Sequence, residues 1–188
     1  MYRFRVLISV WLLLIANAVM AHPHVFIEAQ YRIDLNNTKV NVFEASWKFD
    51  AFTSFSLILE LDTNSDGQLQ SSEKRVLDEK LKSFEPFNYF LKVVADGQVV
   101  QPSNVSMVDA KIEQNQIVVT FGVVLLETIS LDEQSLSLSF GDDQFYFALM
   151  PPDSGLLNLQ GALAETCTPV EREAEEMAID SWVDLSCD

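Results

Sequence analysis

A twelve-residue stretch, residues 62–73 (DTNSDGQLQSSE), constrains this chain more than any other part of its sequence. Side chains that carry oxygen recur in it at every second position, and Gly67 follows the third of them. A glycine there allows a sharp turn with positive φ, which other residues adopt only at a steric cost. The pattern D-x-N-x-D-G-x-L-x-x-x-E therefore predicts a loop that wraps oxygen atoms around a cation.

This spacing is that of the calcium loop of an EF-hand, and Ca²⁺ takes about 6–8 oxygen ligands. The predicted ligands are side chains at loop positions 1, 3 and 5, a backbone carbonyl at position 7, a water-mediated contact at position 9 and a bidentate carboxylate at position 12: Asp62, Asn64, Asp66, Gln68, Gln70 and Glu73. The alternative is a plain surface turn, which Asp, Asn and Gly favour by themselves. Six matched positions favour the calcium site.

The residues on both sides of the loop fit helices, as an EF-hand requires. Residues 49–60 can form the incoming helix, and residues 71–83 show helical charge spacing with apolar Val76, Leu77 and Leu81. Leu69 is the one apolar residue within the loop, and we expect it to point into the core. The sequence thus predicts a helix, a loop and a helix in succession.

The N-terminal sequence predicts export. Arg3 and Arg5 precede an apolar stretch at residues 6–20, and cleavage is expected after Ala21. That stretch is short for a membrane-spanning helix, so residues 1–21 are interpreted as a signal peptide; an uncleaved anchor is the alternative. No other segment of the sequence is long and apolar enough to cross a membrane.

The charge of the chain excludes one class of partner. Its formal net charge is −16, and loss of Arg3 and Arg5 with the signal peptide would make it −18 (−16 − 2). Nucleic acid is therefore not expected as a partner, because binding it requires a basic face. An acidic surface suits cation binding and also keeps a protein soluble.

Cys167 and Cys187 are the two cysteines of the chain. In an exported protein they predict one disulfide, which would pin the acidic C-terminal residues 167–188. The alternatives are two free thiols or a soft-metal pair. These alternatives exclude the disulfide, because an oxidised cysteine cannot ligate a metal.

Both histidines fall within the first three residues after the expected cleavage point. His22 would carry a free α-amine beside its imidazole, and His24 adds a second imidazole on the same side of an extended chain. This donor set suits Zn²⁺, Ni²⁺ or copper. Pro23 has no N–H, which excludes coordination through the backbone nitrogens of residues 23 and 24. An acid such as Glu28 or one from the tail would have to complete the site; two merely exposed histidines are the alternative.

Most of the remaining sequence predicts strands. Hairpins are expected from residues 25–35 with 40–49, 89–95 with 98–100, 105–112 with 116–126, and 136–140 with 144–150, and a short strand at residues 156–159. A short helix is expected at residues 171–182. The fold class is α+β: residues 22–166 form one domain, a mainly antiparallel β-sandwich-like body with an inserted helix-loop-helix.

Three stretches together resemble domain-of-unknown-function family 1007. They are the signal peptide followed by AHPHVFI, the segment from WKFD into the loop at residues 62–67, and DDQFYF at residues 142–147 followed by Cys167. The resemblance implies a periplasmic component of an ABC-type or nickel/cobalt-type metal transport system, acting with a membrane metal permease that is a separate protein. Phe26 stands where the family often has Trp.

Three functions are compatible with these features. The first is a periplasmic metal-binding accessory of a transport system, with Ca²⁺ at residues 62–73 and a transition metal at His22 and His24. The second is a calcium-stabilised structural or protein-interaction module. The third is a copper-dependent enzyme with an N-terminal His, but the sequence has no Ser-His-Asp set and no glycine-rich phosphate loop. We therefore expect no enzyme.

Overall fold

The computed structural model describes residues 25–144, 146–172 and 181–187. Within these residues, eleven strands form two sheets, and two helices and a 3-10 segment are inserted after the second strand. The strands are β1 (Val25–Asp34), β2 (Lys39–Phe49), β3 (Leu91–Ala95), β4 (Gln98–Val99), β5 (Pro102–Glu113), β6 (Gln116–Ser130), β7 (Leu136–Phe140), β8 (Phe147–Met150), β9 (Leu157–Gln160), β10 (Cys167–Arg172) and β11 (Trp182–Cys187). The helices are α1 (Ala51–Leu61) and α2 (Ser71–Leu81), followed by the 3-10 segment Lys82–Phe90.

The first sheet has six strands in the order β5-β6-β2-β1-β8, with β9 also paired to β1. β1 and β2 form the antiparallel hairpin predicted around residues 36–38. On its other edge, β1 pairs in parallel with β8 and then with β9. Alternate residues of β1 face the core, because successive side chains of a strand point to opposite faces; Ile27, Ala29 and Tyr31 are fully buried.

The second sheet has five strands in the order β10-β11-β7-β3-β4. Its β3–β4 hairpin turns at Asp96 and Gly97, as the sequence predicted. The C-terminal residues 167–172 and 182–187 are strands of this sheet, with Cys167 directly opposite Cys187. Antiparallel pairing of β11 with β7 joins this C-terminal hairpin to the body.

The two sheets share one core. Tyr31 of β1 stacks on Phe140 of β7 with ring centroids 4.2 Å apart, and its hydroxyl donates to the carbonyl of Ser139 at 2.6 Å. Burial raises the pKa of Tyr31 far above its ordinary value, so it stays a neutral donor. Trp47 of β2 lies against Phe90 and Phe121. The fold is therefore α+β with a sandwich-like body, as expected.

The helix pair is attached to the end of the first sheet. Ser54 of α1 is fully buried; its hydroxyl donates to the carbonyl of Phe49 at 3.1 Å and accepts the N–H of Ile117 at 3.0 Å. Asp50 caps α1 by accepting the N–H groups of Phe52 and Thr53. One buried hydroxyl thus links α1 to both β2 and β6.

One predicted hairpin is wrong. Residues 136–140 do not pair with residues 144–150: β7 belongs to the second sheet, and β8 runs beside β1 in the first. The reason lies in the connection, where the carboxylate of Asp142 accepts the N–H groups of Gln144, Tyr146 and Phe147. The chain turns around this carboxylate and continues into β8 of the first sheet.

Two further expectations differ from the structure. The strand predicted from residue 89 begins at Leu91, because Asn88, Tyr89 and Phe90 have φ of 50°, 51° and 57°, which is left-handed rather than extended. The helix predicted at residues 171–182 is contradicted at both ends, since Glu171, Arg172 and Trp182 lie in paired strands. Its residues 173–180 lie outside the described part of the chain.

Candidate functional site

The loop predicted to bind Ca²⁺ connects the two helices. α1 ends at Leu61 and α2 begins at Ser71, so residues 62–70 form the turn and Glu73 lies in the first turn of α2. Leu61 and Leu69 are buried at 1% and 6% exposure and anchor the loop from the side of the core. The local order of helix, loop and helix is the order that the sequence predicts.

Hydrogen bonds within the loop hold its first half in a fixed shape. The Asp62 carboxylate accepts the N–H groups of Asp66 at 3.1 Å and Gly67 at 2.9 Å. The side-chain oxygen of Asn64 also accepts the Asp66 N–H, at 3.1 Å, and Asp66 accepts the N–H of Gln68 at 2.9 Å. Short polar side chains that accept from a backbone N–H two residues on are typical of Asx turns.

Gly67 is where the loop reverses direction, with φ of +75°. A Cβ atom at this position would meet no atom within 4 Å. Another residue would therefore be disfavoured by the backbone conformation and not by a clash. This agrees with the role that the sequence pattern gives to the glycine.

Glu73 closes the loop from the opposite side. One carboxylate oxygen accepts the N–H and the hydroxyl of Thr63 at 2.9 and 3.0 Å, and the other accepts the N–H of Gln70 at 2.8 Å. The side chain is 6% exposed. The N–H of Gln70 lowers the pKa of Glu73, and the donors on Thr63 act in the same direction, whereas burial and the charge of Asp66 oppose them. The carboxylate is thus held ionised next to the start of the loop.

Two side-chain amides converge on Asp66. The NH₂ groups of Asn64 and Gln70 each donate to the same carboxylate oxygen of Asp66 at 2.9 Å. Together with the N–H of Gln68, which has the largest effect, they lower the pKa of Asp66. These amide groups supply the positive partial charge that an anionic loop requires.

All six predicted calcium ligands therefore lie in one loop, but their carboxylates are committed to hydrogen bonds. Within residues 25–144, 146–172 and 181–187, no three His, Cys, Asp or Glu side chains are grouped so that they could hold a metal ion. In this conformation the loop amides, and not a shared central point, are the targets of Asp62, Asp66 and Glu73. The Asn64 and Gln70 amides donate to only one of the two carboxylate oxygens of Asp66.

His22 and His24 lie outside the described residues. The described chain starts at Val25, whose N–H donates to the carbonyl of Tyr146 at 3.3 Å. Glu28, one acid considered as a third ligand, forms an ion pair with Lys48 at 3.0 Å. Of the acids in the C-terminal region, Glu171 accepts the N–H of Leu156 at 2.7 Å. These contacts give both acids a structural partner in the folded body.

The predicted disulfide is confirmed. Cys167 and Cys187 are bonded across the β10–β11 pair, so the alternatives of free thiols and of a soft-metal pair are excluded. The described part of the chain also contains no helix that is long and apolar enough to span a membrane. The predicted signal peptide, residues 1–21, lies outside that part.

Sequence reasoning missed the role of Asp50. It accepts the N–H of Phe26 at 3.1 Å and both the N–H and the hydroxyl of Thr53 at 2.9 and 2.7 Å. Burial tends to raise the pKa of Asp50, but the donors on Thr53, Phe26 and Phe52 outweigh it and lower the pKa. The signal was present in the sequence as an Asp directly before a helix, a typical N-cap.

Comparison with known proteins identifies the family. The family described as "Protein of unknown function (DUF1007)" matches residues 7–182, which is nearly the whole chain. An uncharacterized protein of Haemophilus influenzae is 22% identical over 157 residues, covering 82% of this chain and 74% of that protein. This chain therefore belongs to domain-of-unknown-function family 1007.

Proposed function

We propose that this protein is an exported, periplasmic accessory of a metal transport system, and that it binds Ca²⁺ in the loop of residues 62–73. The observation that carries the calcium proposal is the contact of Glu73 with Thr63 at 2.9 Å. It brings loop position 12 next to loop position 2, which is how an EF-hand loop must close for its first and last ligands to share one ion.

The donor set fits a hard cation. Asp62, Asn64, Asp66, the carbonyl of Gln68 and a bidentate Glu73 would supply six oxygens, and a water held by Gln70 would be the seventh; all are of the kind that Ca²⁺ prefers. Once bound, the ion would offset two of the three negative charges that Asp62, Asp66 and Glu73 bring to the loop. The amide groups of Asn64 and Gln70 would then no longer be needed at Asp66.

Calcium has a structural role in this proposal. α1 and α2 are attached to the two ends of the loop, so an ion held by both ends would fix the helix pair on the sheet. Extracellular modules of this kind bind with Kd of about 10⁻⁴–10⁻³ M. At 10 mM Ca²⁺ this affinity would add about 1.4–2.7 kcal/mol to the free energy of unfolding.

Thermal unfolding with and without Ca²⁺, together with calorimetric titration, tests the site. We expect 10 mM Ca²⁺ to raise the Tm of the processed protein, and Glu73→Gln to abolish that increase. Glu79→Gln is the matched control, because Glu79 lies exposed on the same helix and contacts Lys82. If Glu73→Gln and the control keep the same calcium-dependent increase in Tm, the assignment of the loop is wrong.

The second part of the proposal concerns the processed N-terminus. The α-amine and imidazole of His22 with the imidazole of His24 would take up Zn²⁺, Ni²⁺ or copper and pass it to a membrane metal permease. The support is the chemistry of the donors and the transport role that the resemblance to domain-of-unknown-function family 1007 implies. Titration of Zn²⁺, Ni²⁺ and Cu²⁺ into protein that starts at His22 tests it, and His24→Ala should weaken binding at least tenfold.

A calcium-stabilised structural or interaction module without a transport role is the second candidate. It is favoured by the exposed apolar side chains of α1, of which Phe52 is 80% exposed. Unchanged transition-metal binding in His24→Ala, together with intact calcium stabilisation, would support this candidate. We assign no catalytic activity.

A further inference from the structure

Helix α1 has two apolar faces and the fold covers one of them. Ser54 and Leu61 are buried, and Leu57 and Ile58 pack partly buried against the core. At 3.6 residues per turn, Phe52, Phe55 and Leu59 lie within about 60° of one another on the opposite side of the helix. We call these three residues the outer face of α1.

The outer face is largely open to solvent. Phe52, Phe55 and Leu59 are 80%, 61% and 69% exposed. Adjacent exposed apolar side chains that form one patch mark an interaction site. Something other than the described part of this chain is therefore expected to cover the outer face.

The size and shape of the outer face argue against a protein dimer. The three side chains together offer on the order of 400 Å² of exposed area, whereas a stable interface buries about 800 Å² on each partner. Rings that are as exposed as Phe52 protrude from the surface. Phe and Leu are typical of the apolar face of helices that lie at the boundary between lipid headgroups and acyl chains.

The outer face is also next to the place where the N-terminal segment joins the fold. Asp50, which caps α1, accepts the N–H of Phe26 at 3.1 Å, and its own N–H donates to the Phe26 carbonyl at 2.9 Å. Four residues separate Val25 from the apolar stretch at residues 6–20. The N-terminal end of α1 is therefore beside the start of β1, the part of the fold that follows the expected signal peptide and would be nearest the membrane when that peptide is cleaved.

The charges define which membrane the outer face can bind. The sole charged residue of α1 is Glu60, and Lys80 pairs with it at 2.7 Å. The whole chain has a net charge of −16, so an anionic lipid surface would repel it. Adsorption must then come from burial of apolar side chains and not from electrostatic attraction.

We propose that the outer face of α1 inserts into the interfacial region of a neutral lipid bilayer and holds the processed protein at a membrane surface. The proposal relies on the export that is part of the proposed function, but not on metal binding. It gives the protein a defined orientation, with α1 and the processed N-terminus facing the membrane.

Co-sedimentation with vesicles tests this proposal. Processed protein in EDTA is mixed with sucrose-loaded vesicles of phosphatidylcholine, and with vesicles that contain 30% phosphatidylglycerol. We expect binding to the neutral vesicles, weaker binding to the anionic ones, and at least a tenfold loss for the triple variant Phe52→Ser, Phe55→Ser, Leu59→Ser. The matched control is Val99→Ser with Val170→Ser, which removes exposed apolar side chains from the second sheet.

The possible outcomes separate the proposal from its competitors. No binding to neutral vesicles, or equal binding by the triple variant, would overturn it. A requirement for Ca²⁺ or for anionic lipid would also overturn it, because it would indicate electrostatic bridging. Self-association in sedimentation equilibrium that the triple variant abolishes, without vesicle binding, would assign the outer face to a second copy of the chain. Circular dichroism verifies that the variants remain folded, and EDTA keeps the result independent of the calcium site.

Discussion

Helices α1 and α2 flank the same loop and have the same length, 11 residues each, but their surfaces differ. α2 carries charges along its exposed side; Lys74 pairs with Asp109 of β5 at 2.6 Å and Lys80 with Glu60 at 2.7 Å. α1 has one charged residue and an apolar outer face. This difference indicates that the exposed side of α2 is suited to water, whereas both sides of α1 are suited to apolar contacts.

The largest expected effect is the loss of stability when a buried leucine of either helix is replaced, compared with replacement of an exposed leucine on the outer face of α1. Leu61 and Leu77 are both 1% exposed, against 69% for Leu59. Leu61→Ala and Leu77→Ala should each reduce the free energy of unfolding by about 2–5 kcal/mol, and Leu59→Ala should change it by about 0.5 kcal/mol or less. Urea denaturation measures all three. Similar losses for Leu59 and Leu61 would contradict the described orientation of α1.

The next effect concerns the hydroxyl of Ser54, which attaches α1 to the sheet in addition to its buried leucine, Leu61. Ser54→Ala leaves the buried N–H of Ile117 without its acceptor, and an unsatisfied buried donor costs about 1–3 kcal/mol. Ser56→Ala is the control, because Ser56 is exposed and its hydroxyl contacts the carbonyl of Phe52 within the same helix. In thermal unfolding, Ser54→Ala should have a clearly lower Tm than Ser56→Ala. Equal Tm values would contradict the role of Ser54.

Acid titration compares the carboxylates at the N-terminal ends of the two helices. Asp50 caps α1 and Glu73 lies in the first turn of α2, and the pKa of each is lowered in the fold. Because the folded pKa is below the unfolded one, the stabilisation is present above the unfolded values, near 3.8 for Asp50 and 4.5 for Glu73. It is lost as the pH falls through the folded values.

Urea midpoints measured from pH 7 to pH 3 in calcium-free buffer should therefore decrease below about pH 4.5. Asp50→Ala should cost about 0.5–2 kcal/mol at pH 7 through loss of the cap and make the pH dependence shallower. A variant whose pH profile runs parallel to that of the unmodified protein would contradict the lowered pKa of Asp50.

The smallest effect is expected at the contact between the helices. Glu60→Gln removes the ion pair with Lys80. The side chain of Glu60 is 57% exposed and that of Lys80 is 41% exposed. Exposed pairs of this kind contribute about 0.2–1 kcal/mol, and salt screens them. The change in Tm should be small at low salt and vanish at 1 M NaCl. A large loss that persists in high salt would show that Glu60 has a role beyond this pair.

Local chemistry explains what the sequence could predict. The turns at residues 36–38, 96–97 and 113–115 were predicted because their residues favour tight turns regardless of the rest of the fold. The loop of residues 62–73 was predictable for the same reason, since its hydrogen bonds join residues no more than ten positions apart, as between Thr63 and Glu73.

Long-range choices could not be predicted in this way. Residues 141–143 have the composition of a hairpin turn, but the next strand pairs with β1, more than 100 positions away in the chain. The apolar residues of α1 likewise indicate a helix without indicating which side the sheet covers. The left-handed segment Asn88–Phe90 contains no glycine from which its positive φ values could be predicted. It places the rings of Tyr89 and Phe90 against Trp47, which is a contact between residues distant in the sequence.

The position of β1 has a consequence for biogenesis. One edge of this strand pairs with β2, which follows it directly in the sequence. Its other edge pairs with β8 and β9, within residues 147–160. Because a chain is synthesised from its N-terminus, this polypeptide cannot complete its first sheet until residues 147–160 are available. Such late closure slows folding. It also leaves an unpaired edge on β1 in any product truncated before β8, where strand exchange and aggregation would begin.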